Sequence, residues 1–138
     1  MATLTVCNVP QEVVDRVKQF RFAKSKTTDA LILKIDKESM TIEVEEELED
    51  VLIEEITQEV PAHQPRFILI SFENKIEDGR ITYPLCFIFY CPPGCPVELT
   101  MLYAGSRNNL VQLCELSKCA EIRDLEDITF EFLANKCA

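Results

Sequence analysis

The 138 residues contain only three glycines. A phosphate-cradling loop needs several in one short run, so no glycine-rich nucleotide loop is present. Histidine is scarcer still. His63, in the loop PAHQP, is the single one. No nucleophile stands near it in the chain, so Ser-His-Asp or Cys-His catalysis has nothing to be built on. No apolar run reaches the roughly 18 residues that span a bilayer. The start, MATLTVCNVPQEVVDR, lacks a basic region followed by an apolar stretch, and we expect it not to be a secretory signal. Positive charge is also in short supply: 14 Lys and Arg face 24 Asp and Glu, a net charge of −10. Nucleic-acid phosphates and anionic membrane surfaces repel such a chain, while a protein partner with a basic patch stays open.

What is present is enough for one core. Hydrophobic residues make up 47% and charged residues 28%, the balance of one soluble globular domain over residues 1–138. Seven cysteines stand at positions 7, 86, 91, 95, 114, 119 and 137. Their odd number and mostly apolar neighbours predict reduced thiols in the cytosol. CPPGC (91–95) is Cys-x₃-Cys, but zinc wants about four ligands and no second close pair exists. A rigid strand-ending turn is the expectation, with no metal and no cofactor.

Hydrophobic spacing gives the element order. PQEVVDRVKQF (10–20) predicts a helix, with Val13, Val14, Val17 and Phe20 inward. ALILKIDKESMTIEVEEE predicts a hairpin with strands at about 30–36 and 40–46. A short helix at about 50–58 ends at Pro61. RFILISFEN (66–74) is a strand, and Asp78-Gly79 marks a second hairpin. ITYPLCFIFYC (81–91) is nearly all apolar and predicts a central strand covered on both faces. A long helix at about 96–117, a short edge strand at 121–124 and a last amphipathic helix over 125–136 follow. The class is α/β (α+β): a central mixed, mostly antiparallel sheet flanked by helices on both faces.

Three stretches invite a functional reading. EVEEELED (43–50) has six acids in eight residues, which a cation or basic partner could use, though a solvated strand end explains it as well. RVKQFRFAKSK (16–26) is the reverse, five cations with no acid. Phe20 and Phe22 are expected to anchor it in the core and leave the cations outside. It is either a solvated helix end or a dock for an acidic protein surface. MLYAGSRNNLVQ (101–112) has helical spacing, yet Gly105, Ser106, Asn108 and Asn109 are poor helix formers. Leu99, Leu102, Ser106, Leu110 and Leu113 can share an inner face. Met101, Ala104, Gly105, Arg107, Asn108 and Gln112 then lie elsewhere, a flat border suited to docking. The competing explanation is that Gly105 relieves crowding against the sheet.

These stretches, with ALILKIDK (30–37), HQPRFILISF (63–72), DGRITYPLCFIF (78–89) and EIRDLEDIT (121–129), resemble the actin-depolymerising factor homology family, the cofilin-like fold. They cover nearly the whole chain in order. Within that family the sequence is most similar to the glia maturation factors. The resemblance implies a single cofilin-like domain and no enzyme activity. It implies binding to the actin-related protein 2/3 complex, debranching of filaments and inhibition of branch nucleation. The alternative within the fold is a cofilin-like protein that severs or depolymerises filaments. Cofilins carry basic residues just ahead of the shared Met-x-Tyr-Ala; here those positions are Glu98 and Thr100, which argues against docking on acidic actin. A redox or metal enzyme using the cysteines is the other class, and it lacks paired motifs.

Two surfaces follow from the resemblance. Ala2, Thr3, Thr5, Met101, Gly105, Arg107 and Asn108, with the start of the last helix, would meet an actin-related subunit. Lys18, Arg21 and the turn Asp78-Gly79-Arg80 would meet the first actin of the daughter filament at the branch junction. A monomer is expected, in the cytoplasm on branched actin networks and the cell cortex, with the nucleus open. The sequence departs from its relatives in places. Thr3 and Thr5 are the only early hydroxyls where relatives often carry a phosphorylatable serine. Ala23 stands where relatives are often basic, and Cys91, Cys95 and Cys119 look peculiar to this chain.

Overall fold

The structure is a computed structural model in which residues 7–22 and 26–137 are described. Ala2, Thr3, Thr5 and Ala23 lie outside those residues. The first helix, α1 (Gln11–Phe22), starts on Pro10, whose carbonyl accepts the N–H groups of Val13 and Val14 at 2.9 and 3.2 Å. Proline fits there because its missing N–H would have no helical partner. Val13, Val14, Val17 and Phe20 are buried as their spacing predicts.

The main sheet has the order β2-β1-β3-β6-β7, with strands β1 (Asp29–Asp36), β2 (Thr41–Leu48), β3 (Arg66–Ser71), β6 (Leu85–Tyr90) and β7 (Cys119–Ile122). The first three pairings are antiparallel, and β7 runs parallel to β6. That parallel step needs a long crossover, which α3 (Val97–Leu113) supplies. In β1, β3 and β6 the side chains alternate between two cores. Leu31, Leu33, Phe67, Leu69, Phe87 and Phe89 join Val17 of α1 and Tyr103 of α3. Ala30, Ile32, Ile68, Ile70, Cys86 and Ile88 join Ile56 of α2 (Ile53–Glu59) and Leu133 of α4 (Phe130–Cys137). Both faces are therefore covered, and these strands read as continuous apolar runs for that reason. Phe67 sits at the centre of the first core, 5.6 Å from the rings of Phe87 and Phe89 and 5.3 Å from Tyr103.

The β1–β2 register shifts between Ile32 and Leu33, which pair with Glu46 and Val44. Glu45 is the extra residue, and such a bulge re-aims a side chain. Its carboxylate accepts Arg66 Nε and Nη2, each at 3.1 Å. That contact neutralises an arginine that is otherwise buried.

Five expectations need correction. The apolar run 81–91 is not one strand. Pro84 interrupts it, and Ile81–Thr82 forms β5, paired with β4 (Asn74–Lys75) in a separate, exposed two-stranded sheet. The last helix is broken. Asp124 accepts the Glu126 N–H and caps a 3₁₀ turn, Leu125–Asp127, and Thr129 then accepts the Phe132 N–H and starts α4. Two local caps beat one continuous amphipathic pattern, so Ile128 is buried from the join rather than from the helix. Phe22 is 71% exposed, not a core anchor, because it is the last residue of α1. Leu113 is 44% exposed at the end of α3, and Tyr103 is the large residue that fills the inner face instead. Among the described side chains Cys7, Cys91, Cys95, Cys114 and Cys119 are free thiols, whereas Cys86 is disulfide-bonded, against the expectation of reduced thiols.

Candidate functional site

The two sides of α3 do different work. On its inner side Leu102, Tyr103, Ser106 and Leu110 are buried. Ser106 Oγ accepts the backbone N–H of Cys7 at 2.9 Å, and the Tyr103 hydroxyl accepts the N–H of Ile35 at 3.0 Å. Each bond satisfies a buried donor from another part of the chain. A serine in mid-helix is thus a tether for the segment ahead of α1, a role that helical spacing could not reveal. The same segment adds to the sheet margin: Asn8 N–H donates to Met40 O at 2.9 Å, and Ile42 N–H donates to Asn8 O at 2.9 Å.

On the outer side, Val97, Met101, Ala104 and Asn108 follow spacings of four, three and four and are all exposed. Val97 is 72% and Met101 66% exposed, so the start of α3 presents an apolar pair to solvent. Val97 was not singled out from the sequence; its four-residue spacing from Met101 was the available signal. Gly105 is half-buried on the flank. Arg107 is pinned rather than free. Its Nη1 donates to Glu121 Oε2 at 3.3 Å, and its guanidinium lies 5.5 Å from the Phe89 ring centre. Burial pushes the Cys119 thiol up, and the Arg107 charge pulls against that push. Arg107 therefore marks the border where α3 meets β6 and β7.

The second candidate surface begins at the other end of α3. Arg21 Nη1 donates to Glu115 O at 2.9 Å, just past the helix end, and its guanidinium stands 5.5 Å from the Phe22 ring. Lys18 is half-buried and acts on Cys114, whose thiol burial pushes up to about 11 against the lysine charge. The turn of the small hairpin is held by Asp78. Its carboxylate accepts the Arg80 N–H at 3.0 Å and Arg80 Nε at 2.6 Å. Gly79 has φ +95°, which L residues rarely adopt, so the glycine is required by the turn. One open cleft joins these parts: Arg21 and Phe22 line it with Asn74, Ile76 and Tyr83 at the base of the hairpin and Lys118 beyond α3. Arg21 of α1 and the strands of the hairpin thus share one concavity. Its apolar rim, Phe22, Ile76 and Tyr83, was missed because Phe22 had been placed inside.

Charge is distributed to suit. Arg16 pairs with Glu47, and Lys34 reaches Glu43 at 3.4 Å and Glu45 at 4.0 Å. The acidic run of β2 is thereby partly neutralised within the fold. Lys18 and Arg21 make no ion pair among the described residues. His63 is exposed in its loop. Among the described residues no three His, Cys, Asp or Glu side chains gather as metal ligands, and no helix is long and apolar enough to cross a membrane.

Comparison with known proteins gives this geometry a family. The model of the cofilin/tropomyosin-type actin-binding proteins matches residues 6–138. Human glia maturation factor beta is 47% identical over 134 residues, covering 97% of this chain and 94% of the human protein. The Drosophila melanogaster glia maturation factor is 39% identical over 136 residues, 99% of each chain. The solution structure of glia maturation factor from Caenorhabditis elegans superposes with a TM-score of 0.82 at 51% identity, covering 99% of both chains. The chain belongs to the cofilin/tropomyosin-type actin-binding protein family and, within it, to the glia maturation factors.

Proposed function

We propose that this protein is a non-catalytic regulator of branched actin that binds the actin-related protein 2/3 complex, promotes debranching and inhibits branch nucleation. The observation that carries this is the outward face of α3. Val97 and Met101 are uncovered there, with Ala104 and Asn108 in line. Small and adaptable side chains let another backbone come close, while Arg107 marks the edge. Glu98 is exposed and acidic beside this face, and Thr100 is uncharged. Neither would favour docking on acidic actin, which supports an actin-related subunit as the partner.

The first surface also takes in Ala2, Thr3 and Thr5 and the start of α4. The second takes Lys18, Arg21 and Asp78-Gly79-Arg80, and meets the first actin of the daughter filament. Lys18 and Arg21, which make no ion pair among the described residues, suit an acidic partner, and the cleft lined by Arg21 and the hairpin strands lets α1 and the hairpin act together. Occupying both surfaces at once would favour a separated junction over an intact one. The protein acts as a monomer in the cytoplasm, on branched networks.

Affinity tests this against the severing alternative. The purified complex immobilised on a sensor is expected to retain the protein at concentrations where bare filaments do not co-sediment it. Co-sedimentation with filaments and no retention by the complex would reverse the assignment.

A further inference from the structure

We propose that the groove between the starts of α2 and α4 docks a basic amphipathic helix of a protein partner. Leu52 and Phe130 line its two sides and are 65% and 48% exposed. Val51, Ile53 and Leu125 form its floor, half-buried and packed on the second core. Leu52 stands where local chemistry asks for a different residue. It is the N-cap of α2, a position at which Ser, Thr, Asp or Asn would offer an oxygen to the first turn. Leucine offers none, and only its own N–H is served, by Glu55 Oε1 at 3.1 Å. A residue that breaks a capping rule and stays in solvent gains little from this fold, and a contact from outside the chain gives it a use. The groove is also built in advance. Asp50 N–H donates to Asp29 Oδ1 at 2.9 Å and Val51 N–H to Thr28 O at 3.0 Å, which holds the loop that carries Leu52. Opposite, the Phe130 ring stands perpendicular to that of buried Phe72, with centres 6.0 Å apart. Anchors already held lose little freedom on binding.

Charge selects the occupant. Glu54 and Glu126 line the groove, and Asp127 and Glu131 are exposed beside its lining residues in the chain. None of these four carboxylates makes an ion pair among the described residues, and no Lys or Arg lines the groove. Strand β2 differs, since its Glu43, Glu45 and Glu47 are met by Lys34, Arg66 and Arg16. The carboxylates of the groove are therefore left for cations from outside. An anionic membrane surface or an acidic segment would be repelled. A helix with apolar residues three and four apart, flanked by Lys or Arg, meets both the apolar sides and the acidic rim. The helices α2 and α4 pack on the face of the sheet opposite α1 and α3. Apart from the start of α4, the groove shares no residue with the two surfaces proposed above, and it stands without them.

The test titrates the isotope-labelled full chain with a synthetic helix of about 18 residues, leucine at helical spacing and lysine elsewhere, and follows backbone resonances. The expected result is saturable binding, with shifts concentrated at 51–57 and 125–131. Leu52→Ser supplies a regular cap, so it should melt no lower than the parent and yet bind the helix about tenfold more weakly. Glu54→Gln with Glu126→Gln should also weaken binding and flatten its dependence on salt. A version of the helix with glutamate in place of lysine should not bind. Shifts centred on 43–47, parent-like affinity in both variants, or no saturable binding would overturn the proposal. So would shifts at 52 and 130 that grow with protein concentration in the absence of the helix, which would give the groove to a second copy of this chain.

Discussion

Ser106 is where a weakness in the sequence turns into a fastening in the fold. Its hydroxyl takes the Cys7 N–H, and Tyr103 on the same inner face takes the Ile35 N–H. Removing either oxygen strands a buried backbone donor, which costs about 1–3 kcal/mol. Ser106→Ala and Tyr103→Phe are each expected to lower unfolding free energy by about that much in urea titrations. A change under about 0.5 kcal/mol in both would mean the donors find other partners. Helical spacing placed Ser106 inward correctly, but nothing local pointed to Cys7, 99 residues away. Phe22 failed for a related reason. Hydrophobicity says a phenylalanine prefers the core, and only the helix end decides that this one stays outside, stacked beside Arg21.

At the level of elements, strong patterns were legible and interruptions were not. The alternation in β1 and the apolar runs of β3 and β6 follow from a sheet buried on both faces. The break at Pro84 and the 3₁₀ turn before α4 depend on single residues competing with a longer pattern. Proline could have signalled the first, since it cannot donate within a ladder. Asp124 and Thr129 could have signalled the second as successive caps. On the outward face of α3 the exposed positions Met101, Ala104 and Asn108 were readable, whereas Val97 was not, and Gly105 and Arg107 lie half-buried beside them. Met101 lies on that face and is 66% exposed, so Met101→Asp should leave folding stability within about 0.5 kcal/mol of the parent. A charge placed in an apolar contact should still weaken binding to the actin-related complex by about tenfold or more. Unchanged affinity would move the contact off this face.

Over the whole molecule, α3 links the two candidate surfaces. It offers Met101 near its start, and its end meets Arg21 through Glu115. The sequence named most of these residues by resemblance, while the cleft joining α1 to the hairpin became visible only through the fold. Residues 16–26 and 74–85 lie far apart in the chain, and no spacing rule brings them together. The function proposed above divides the labour between the two surfaces. Lys18 makes no ion pair among the described residues, and Arg21 is exposed, so both can meet an acidic partner without first breaking an internal ion pair. The most direct test images preformed branched filaments with the parent chain and with Lys18→Ala plus Arg21→Ala, after thermal melting has shown both folded. The parent is expected to speed branch loss while mother filaments stay unsevered. The double variant should keep most of its binding to the complex and lose most of the debranching. Intact branches on fragmenting filaments, or equal loss of binding and debranching in the variant, would contradict a two-surface debranching protein.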